Sequence, residues 1–422
     1  MYQRCIISSW MLIWSLLSSA VSLAETDAVL ALVQPHAYVG AQPLPPLDED
    51  STPTAHRPLR FQTMEEALAY YDDLARSGRW SPLEAGPLLS LGDRHEQVVQ
   101  LRQLLQLSGD YREAPPSGQP DLFDKPLFDA MVRFQMRHGA VHVDGILGPE
   151  SRDLLNVPPW IRANQLLLNI GRQEALQAVA SARYVQVNIP DYRLWLVADG
   201  DVQLEMKAIV GRKSRQTPVF SSQVSALVIN PAWSVPRSIA MRDFLPHWRQ
   251  DSRYLEKKNL LVLSGWQAPP VVVPDADIDL AKMYRGIEYH RLWQPPGPGN
   301  ALGRIKFNVP NSESIYLHDT NARQLFDASR RAFSSGCIRL EKPMELAEWL
   351  LVKANRAEPG VLHRLLDNSQ TRHVRLENQV ELHVTYWTAW LDAEGSLQFR
   401  EDLYRHDEKV LREYVSRQTQ TN

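Results

Sequence analysis

The chain has 422 residues, 44% of them hydrophobic and 23% charged, enough for two or three globular domains with sizeable cores. Its formal net charge is −3 and no segment carries a basic footprint, which excludes nucleic acid as a partner. Twelve Trp and 29 Pro argue for aromatic-lined surfaces and ordered loops, and against a long helical bundle.

Residues 1–24 set Arg4 before an apolar run from Ile6 to Leu17 and then "SSAVSLA", the pattern of a signal peptide cut near Ala24. The run is shorter than the roughly 20 apolar residues of a membrane-spanning helix; an uncleaved anchor is the alternative. Cys5 precedes the run, so cleavage discards it and leaves Cys337 as the only thiol. A single cysteine cannot form an internal disulfide, and an unpaired thiol in an oxidising compartment asks for a chemical reason.

The N-terminal part of the mature chain, 25–90, starts with a loosely ordered Pro- and Ala-rich segment and turns helical at "TMEEALAYYDDLARSGRW". Thr63 and Glu66 form a capping box, Ala67, Tyr70, Tyr71 and Leu74 share a face, and Gly78 ends the helix. Over 91–157 two apolar stripes follow, Val98, Leu101, Leu104, Leu105 and then Leu127, Met131, Phe134, before a turn at Asp144-Gly145 and a helix entered at Pro149. The spacing predicts a small three-helix unit. Residues 158–182 read as a connecting helix.

The period then switches to two. "YVQVNIPDYRLWLVADGDVQLEMKAIVG" predicts a three-stranded meander turning at Pro190-Asp191 and Asp199-Gly200, and "SSQVSALVINPAWSVP" adds a strand. A second cluster, "HVRLENQVELHVTYWTAWLDAEGSLQFRED", turns at Glu394-Gly395. The expectation is a mainly β domain over 183–392, a C-terminal extension over 393–422, and a multidomain α+β chain. An insertion at 239–299 is expected to be an ordered helical lid, because Trp248, Trp266, Tyr284, Tyr289 and Trp293 punctuate it and both ends are Pro-rich.

In "NSESIYLHDT", alternation puts Ile315 and Leu317 on one face and Tyr316 and His318 on the other. In "SSGCIRLEKP", Cys337 and Arg339 share a face before Pro343 opens a helix. If the two strands pair, imidazole and thiol meet. A free thiol has a pKa near 8.5 and needs such a base to become a nucleophile. The tight "SSG" turn lets backbone N–H groups of Gly336 and Cys337 aim at an oxyanion, and Arg339 offers a fixed charge to a substrate carboxylate. Papain-like enzymes place Cys before His, the reverse of the order here. No Ser-x-x-Lys occurs, and "HEQVV" lacks the second His of a zinc motif, so no metal or other cofactor is expected.

The unit at 91–157 resembles the peptidoglycan-binding domain of cell-wall enzymes through Phe134, Gln135, Asp144, Gly145, Ile146 and Gly148, departing from it at Arg102 and in the loop "REAPPSGQPDLFDK". Residues 183–392 resemble the L,D-transpeptidases, with a His followed by Ser/Thr-x-Gly-Cys-x-Arg/Asn, and within them the large Gram-negative branch typified by the YcbB proteins. "IVGRKSRQTPVF", "VINPAWSVP", "PGPGNALGRIKF", "YLHDT" and "SSGCIRLEKP" all have counterparts there. The resemblance implies a β-sandwich catalytic domain, Cys337 as nucleophile, His318 as base, Asp319 as the residue orienting it, and Tyr316, Ser335 and Arg339 toward substrate. It further implies peptidoglycan peptide stems as substrate, carbapenem-type β-lactams as covalent inhibitors and a periplasmic location. The residues themselves supply only acyl transfer; a carboxypeptidase or endopeptidase using the same pair, or a wall-binding scaffold, are the alternatives.

Overall fold

A computed structural model describes residues 59–114, 116–265, 271–274, 277–278, 290–367 and 369–420, the last seven by backbone alone. The expected signal peptide and most of the leading segment, with Trp266, Tyr284 and Tyr289 of the insertion, lie outside the described residues.

Helix α1 (Met64–Ser77) begins where the capping pattern puts it. The Thr63 hydroxyl accepts from Glu66 N at 3.2 Å, but the Glu66 carboxylate accepts from Gln62 N at 2.8 Å, one residue upstream of a strict box. Gly78 ends it at φ +64°, a left-handed cap. Helices α2 (Gln97–Leu107), α3 (Lys125–Arg137) and α4 (Pro149–Leu155) form the small unit around Leu101, Leu105, Leu127, Met131 and Phe134, all essentially inaccessible. Gln135 organises its turn: Nε2 donates to Asp144 Oδ1, Ile146 O and Ser151 Oγ at 2.9–3.1 Å, while Oε1 accepts from the N–H groups of Asp144 and Gly145. Arg102 is buried and structural. It pairs with Asp124 at 2.9 Å and donates to the Tyr111 hydroxyl and Pro120 O, pinning the Pro-containing loop that the departure from Gln accompanies.

Helix α5 (Pro159–Gln177) leads into the meander β1 (Arg183–Asn188), β2 (Arg193–Ala198) and β3 (Asp201–Gly211), followed by β4 (Phe220–Ile229). The insertion holds β5 (Trp233–Ser234), a short helical stretch over 237–244, α6 (Leu245–Gln250), α7 (Tyr254–Lys257), β6 (Leu261–Ser264), β7 (Val271–Val272) and β8 (His290–Gln294). The main domain resumes with β9 (Ile305–Asn308), β10 (Leu317–His318), β11 (Ala332–Ser334), β12 (Ile338–Leu340), α8 (Pro343–Glu348), α9 (Val361–Asp367) and β13 (Arg372–Thr385). Strands β14 (Ala389–Leu391) and β15 (Leu397–Phe399) and helix α10 (His406–Gln420) complete the chain.

Nine strands share one sheet in the order β11-β3-β12-β10-β9-β4-β13-β1-β2, and β2 also pairs with β3. The sheet therefore closes on itself, so the expected sandwich is one continuous curled sheet. Inward residues such as Val187, Leu194, Leu227, Phe307, Leu317, Ile338 and Leu382 are fully buried, and Leu346 of α8 and Leu362 of α9 join the same core. Alternating positions face outward, and on β9, β10 and β12 that outer face carries the chemistry.

Two expectations are corrected. The insertion is mixed rather than helical: β5-β8-β6-β7 form a four-stranded sheet, and with it the unit starts at Trp233, ahead of residue 239. Val235, Leu245, Leu255, Leu260, Val262 and Leu292 give the unit a core of its own, against which its strands pack. The second strand cluster is also split. β13 joins the closed sheet, while β14 and β15 form a separate hairpin whose Ala389, Leu397 and Phe399 pack with Met64, Tyr71, Leu166 and Ile170 of the helical scaffold.

At that junction Arg137, 6% exposed, forks onto Asp110 at 2.6 and 2.8 Å and donates to Leu397 O at 2.5 Å. Arg137→Met strands the buried Asp110 carboxylate and should cost about 3–5 kcal/mol. Urea unfolding checks this; a loss below about 1 kcal/mol would mean that the pair is structurally idle.

Candidate active site

Strands β9, β10 and β12 lie side by side. Strand β10 runs parallel to β12 with Leu317 opposite Ile338 and His318 opposite Arg339, and Ile338 N donates to Tyr316 O at 3.1 Å. On its other edge β10 runs antiparallel to β9, with His318 opposite Lys306. The alternation holds: Ile315 and Leu317 enter the core, Tyr316 and His318 face out. Cys337 is therefore one step along its strand from the residue beside Leu317, next to Tyr316, with His318 one step further on the same face.

His318 is 4% exposed, and its Nδ1 lies 2.5 Å from Asp319 O. A carbonyl only accepts, so Nδ1 carries the proton and Nε2 is left with the lone pair of a base. Burial, and then the charge of Arg339, hold its pKa down at about 3, with Lys306 acting in the same sense. The ring is neutral at any working pH. Burial pushes the Cys337 thiol up from 9, against hydrogen bonds from the Tyr316 backbone and hydroxyl and the charges of Lys306 and Arg339. The resting pair is thus neutral thiol and neutral imidazole. Tyr316 stays a phenol because burial, and then Cys337, raise its pKa.

Two expected roles change. Ser335 was expected to face substrate, but its hydroxyl accepts from Arg215 Nη1 at 2.9 Å and Arg212 Nη2 at 3.4 Å. Gly336 was expected to aim its N–H at an oxyanion; instead that N–H donates to Ser334 Oγ at 3.1 Å, which leaves the N–H of Cys337 as the donor of the expected pair. Gly336 is needed for conformation: its φ is +120°, and a Cβ there would meet Ile315 Cδ1 at 3.1 Å. Asp319 accepts from His318 Nδ1 through its backbone carbonyl, the orienting contact that the resemblance implies. Its carboxylate accepts from Arg304 N at 2.9 Å and Arg323 Nη1 at 3.2 Å, over Gly303, where a Cβ would come within 2.3 Å of it.

Sequence reasoning missed Lys306, Arg215 and Thr217. In "GRIKF" the alternation of Ile305 and Phe307 into the core already places Lys306 on the outer face with His318. Thr217, fully buried, donates to Gly336 O at 2.7 Å and accepts from Gly211 N, so "IVGRKSRQTPVF" buttresses the turn that leads into Cys337. Arg215 also forks onto Asp243 of the insertion at 2.5 and 2.8 Å. One guanidinium thereby ties the insertion to Ser335, two residues before Cys337. At the insertion's base, buried Asn300 donates to Pro231 O, 3.0 Å, and Pro295 O, 2.9 Å, clasping entrance and exit.

A charge-assisted hydrogen bond contributes about 1.5–3 kcal/mol, so Asp243→Ala should slow acyl transfer by about 10–100-fold. Iodoacetamide, which needs no enclosed site, should still label Cys337 at the wild-type rate. Equal losses in both assays would mean that the variant distorts the turn into Cys337 itself.

Residues 182–359 match the family described as "L,D-transpeptidase catalytic domain", and residues 94–155 match "Putative peptidoglycan binding domain". A Haemophilus influenzae protein named "Putative L,D-transpeptidase" is 38% identical over 224 residues, which are 53% of this chain and 44% of that protein. The chain thus spans less than half the length of this relative. Among solved structures, an L,D-transpeptidase from Stackebrandtia nassauensis is 14% identical, covering 72% of this chain and 97% of that one with a TM-score of 0.25. L,D-transpeptidase 3 from Mycobacterium tuberculosis, solved with a faropenem-derived adduct, is 12% identical over 48% and 60% of the two chains, with a TM-score of 0.23. Residues 182–359 thus resemble the L,D-transpeptidase (YkuD) catalytic domain, and residues 94–155, which precede them, a peptidoglycan-binding domain.

Proposed function

We propose that this protein is a periplasmic cysteine transpeptidase that cross-links peptidoglycan stems. Cys337 attacks the carbonyl of the third residue of a tetrapeptide stem, the thiol proton passing to His318 Nε2 as the S–C bond forms. The developing oxyanion faces the Cys337 N–H. His318 returns its proton to the departing D-alanine nitrogen as the C–N bond breaks, leaving a thioester. The side-chain amine of a neighbouring stem then attacks, His318 takes the amine's proton and hands it to the departing sulfur, and the thiol is restored.

What carries this reading is the parallel pairing of β10 with β12, which sets a tautomer-fixed, neutral imidazole and a lone thiol on one face. The anchored insertion supports transfer over hydrolysis, because an enclosed cleft keeps water from the thioester. The leader pattern supports export; N-terminal sequencing of exported protein should begin at Glu25.

Incubation with disaccharide tetrapeptide should release D-alanine and give a cross-linked dimer by product mass spectrometry. Tripeptide alone would mean a carboxypeptidase, and no release a scaffold. A carbapenem, whose strained carbonyl meets the same thiol, should leave a one-to-one adduct on Cys337; its absence while iodoacetamide still reacts would count against a transpeptidase pocket.

A further inference from the structure

Three register partners form a row across the outer face: Lys306 on β9, His318 on β10 and Arg339 on β12. Partners in register project to the same side, so the imidazole stands between two cations. Elsewhere the arginines with little exposure are matched either by acids, as in Arg102–Asp124, Arg137–Asp110, Arg215–Asp243 and Arg400–Asp191, or by backbone carbonyls, as Arg331 is by Ala208 O, Tyr192 O and Ala328 O. Here, among the described residues, no carboxylate answers either charge. Lys306 Nζ lies 4.1 Å from the centre of the Tyr316 ring, and Arg339 Nε is buried without a hydrogen-bond partner. Asp319, the acid nearest in the chain, spends its carboxylate on Arg304 N and Arg323. The other titratable groups facing the imidazole, Cys337 and Tyr316, are neutral at rest, and Arg212, beside Arg339, adds more positive charge.

Two half-desolvated cations without a counter-charge are costly unless something anionic joins them. They also oppose protonation of the base, since an imidazolium formed between them would be a third positive charge, although the same charges favour loss of the thiol's proton. We propose that Lys306 and Arg339 together seat the free α-carboxylate of the residue that leaves, and that this carboxylate switches on His318 as the base. An α-carboxylate lies about one residue step, ~3.8 Å, beyond the attacked carbonyl. The row begins two residues along the strand from Cys337, about 6.6 Å at 3.3 Å per residue, within reach of the long Lys and Arg side chains. With the seat filled, the row is neutralised and the thiol proton can be taken; with it empty, the base is suppressed and the thiol stays quiet. This rests on the acyl-transfer reading above and adds to it that the donor's carboxylate acts on kcat and not only on KM. Lys306 is in these terms both a binding and a positioning residue.

The test uses the tetrapeptide donor and its C-terminal amide, with wild type, Lys306→Met and Lys306→Arg, following release of the terminal residue. In wild type, kcat for the carboxylate should exceed that for the amide by at least about 10-fold, the range of one charge-assisted hydrogen bond. In Lys306→Met that ratio should collapse toward one, and in Lys306→Arg most of it should return. With the amide donor, the acidic limb of kcat/KM should also move to higher pH in Lys306→Met, because one of the opposing cations is gone. A ratio that Lys306→Met leaves unchanged, or a preference confined to KM, would overturn the proposal, and so would an unmoved acidic limb. Carbapenem adduct formation separates the two readings. If wild type forms no adduct and releases nothing, the acyl-transfer reading fails and takes the seat with it; if the adduct forms while the ratio stays fixed, only the seat fails.

Discussion

Cys337→Ala should abolish D-alanine release while the protein keeps its fold. The sulfur is part-buried between Tyr316 and the outer face of β12, outside the main core, so its removal resembles the loss of one methylene and should cost about 1 kcal/mol. No neighbouring side chain can replace it. Ser334 is buried and accepts the Gly336 N–H, and Ser335 is bound by two arginines, so neither hydroxyl is poised beside His318. The check pairs a thermal melt with chromatographic assay of D-alanine. Retained turnover in a variant that melts like wild type would move the nucleophile elsewhere.

His318→Ala should slow acylation by about 10²–10⁴-fold, the usual contribution of a general base. Its pH signature is specific. Because burial and the flanking cations hold the imidazole at about 3, it is neutral throughout the neutral range, and the raised thiol is protonated there. The kcat/KM for acylation by wild type, which reports the free enzyme, should therefore be nearly flat across roughly pH 5–8, without the inflection near 6.5 of an ordinary histidine. Iodoacetamide labelling should climb only toward alkaline pH, where the thiol ionises. An alkylation plateau in mild acid would instead reveal a thiolate–imidazolium pair and sink this account. Stability follows the same sign: the unfolded imidazole takes its proton near 6.5 and the folded one resists until about 3. The contribution of this group is thus complete above 6.5 and is lost as pH falls toward 3.

The local alternation of residues was enough to place the strands around His318 and Cys337, the faces they present, the cap at Thr63 and the three-helix unit, because each depends on neighbours within a few residues. Lys306 was within reach of the same reasoning. Long-range partnership was not. That Ser335 belongs to Arg215 and Asp243, and that the Asp319 carboxylate turns to Arg304, depend on segments brought together from up to 120 residues away. Whether the β runs of the insertion would pair among themselves, and whether β14–β15 would join the closed sheet or the helical scaffold, was likewise decided by tertiary structure. A strand's period fixes which side is apolar, but which surface covers that side depends on what the rest of the chain leaves exposed.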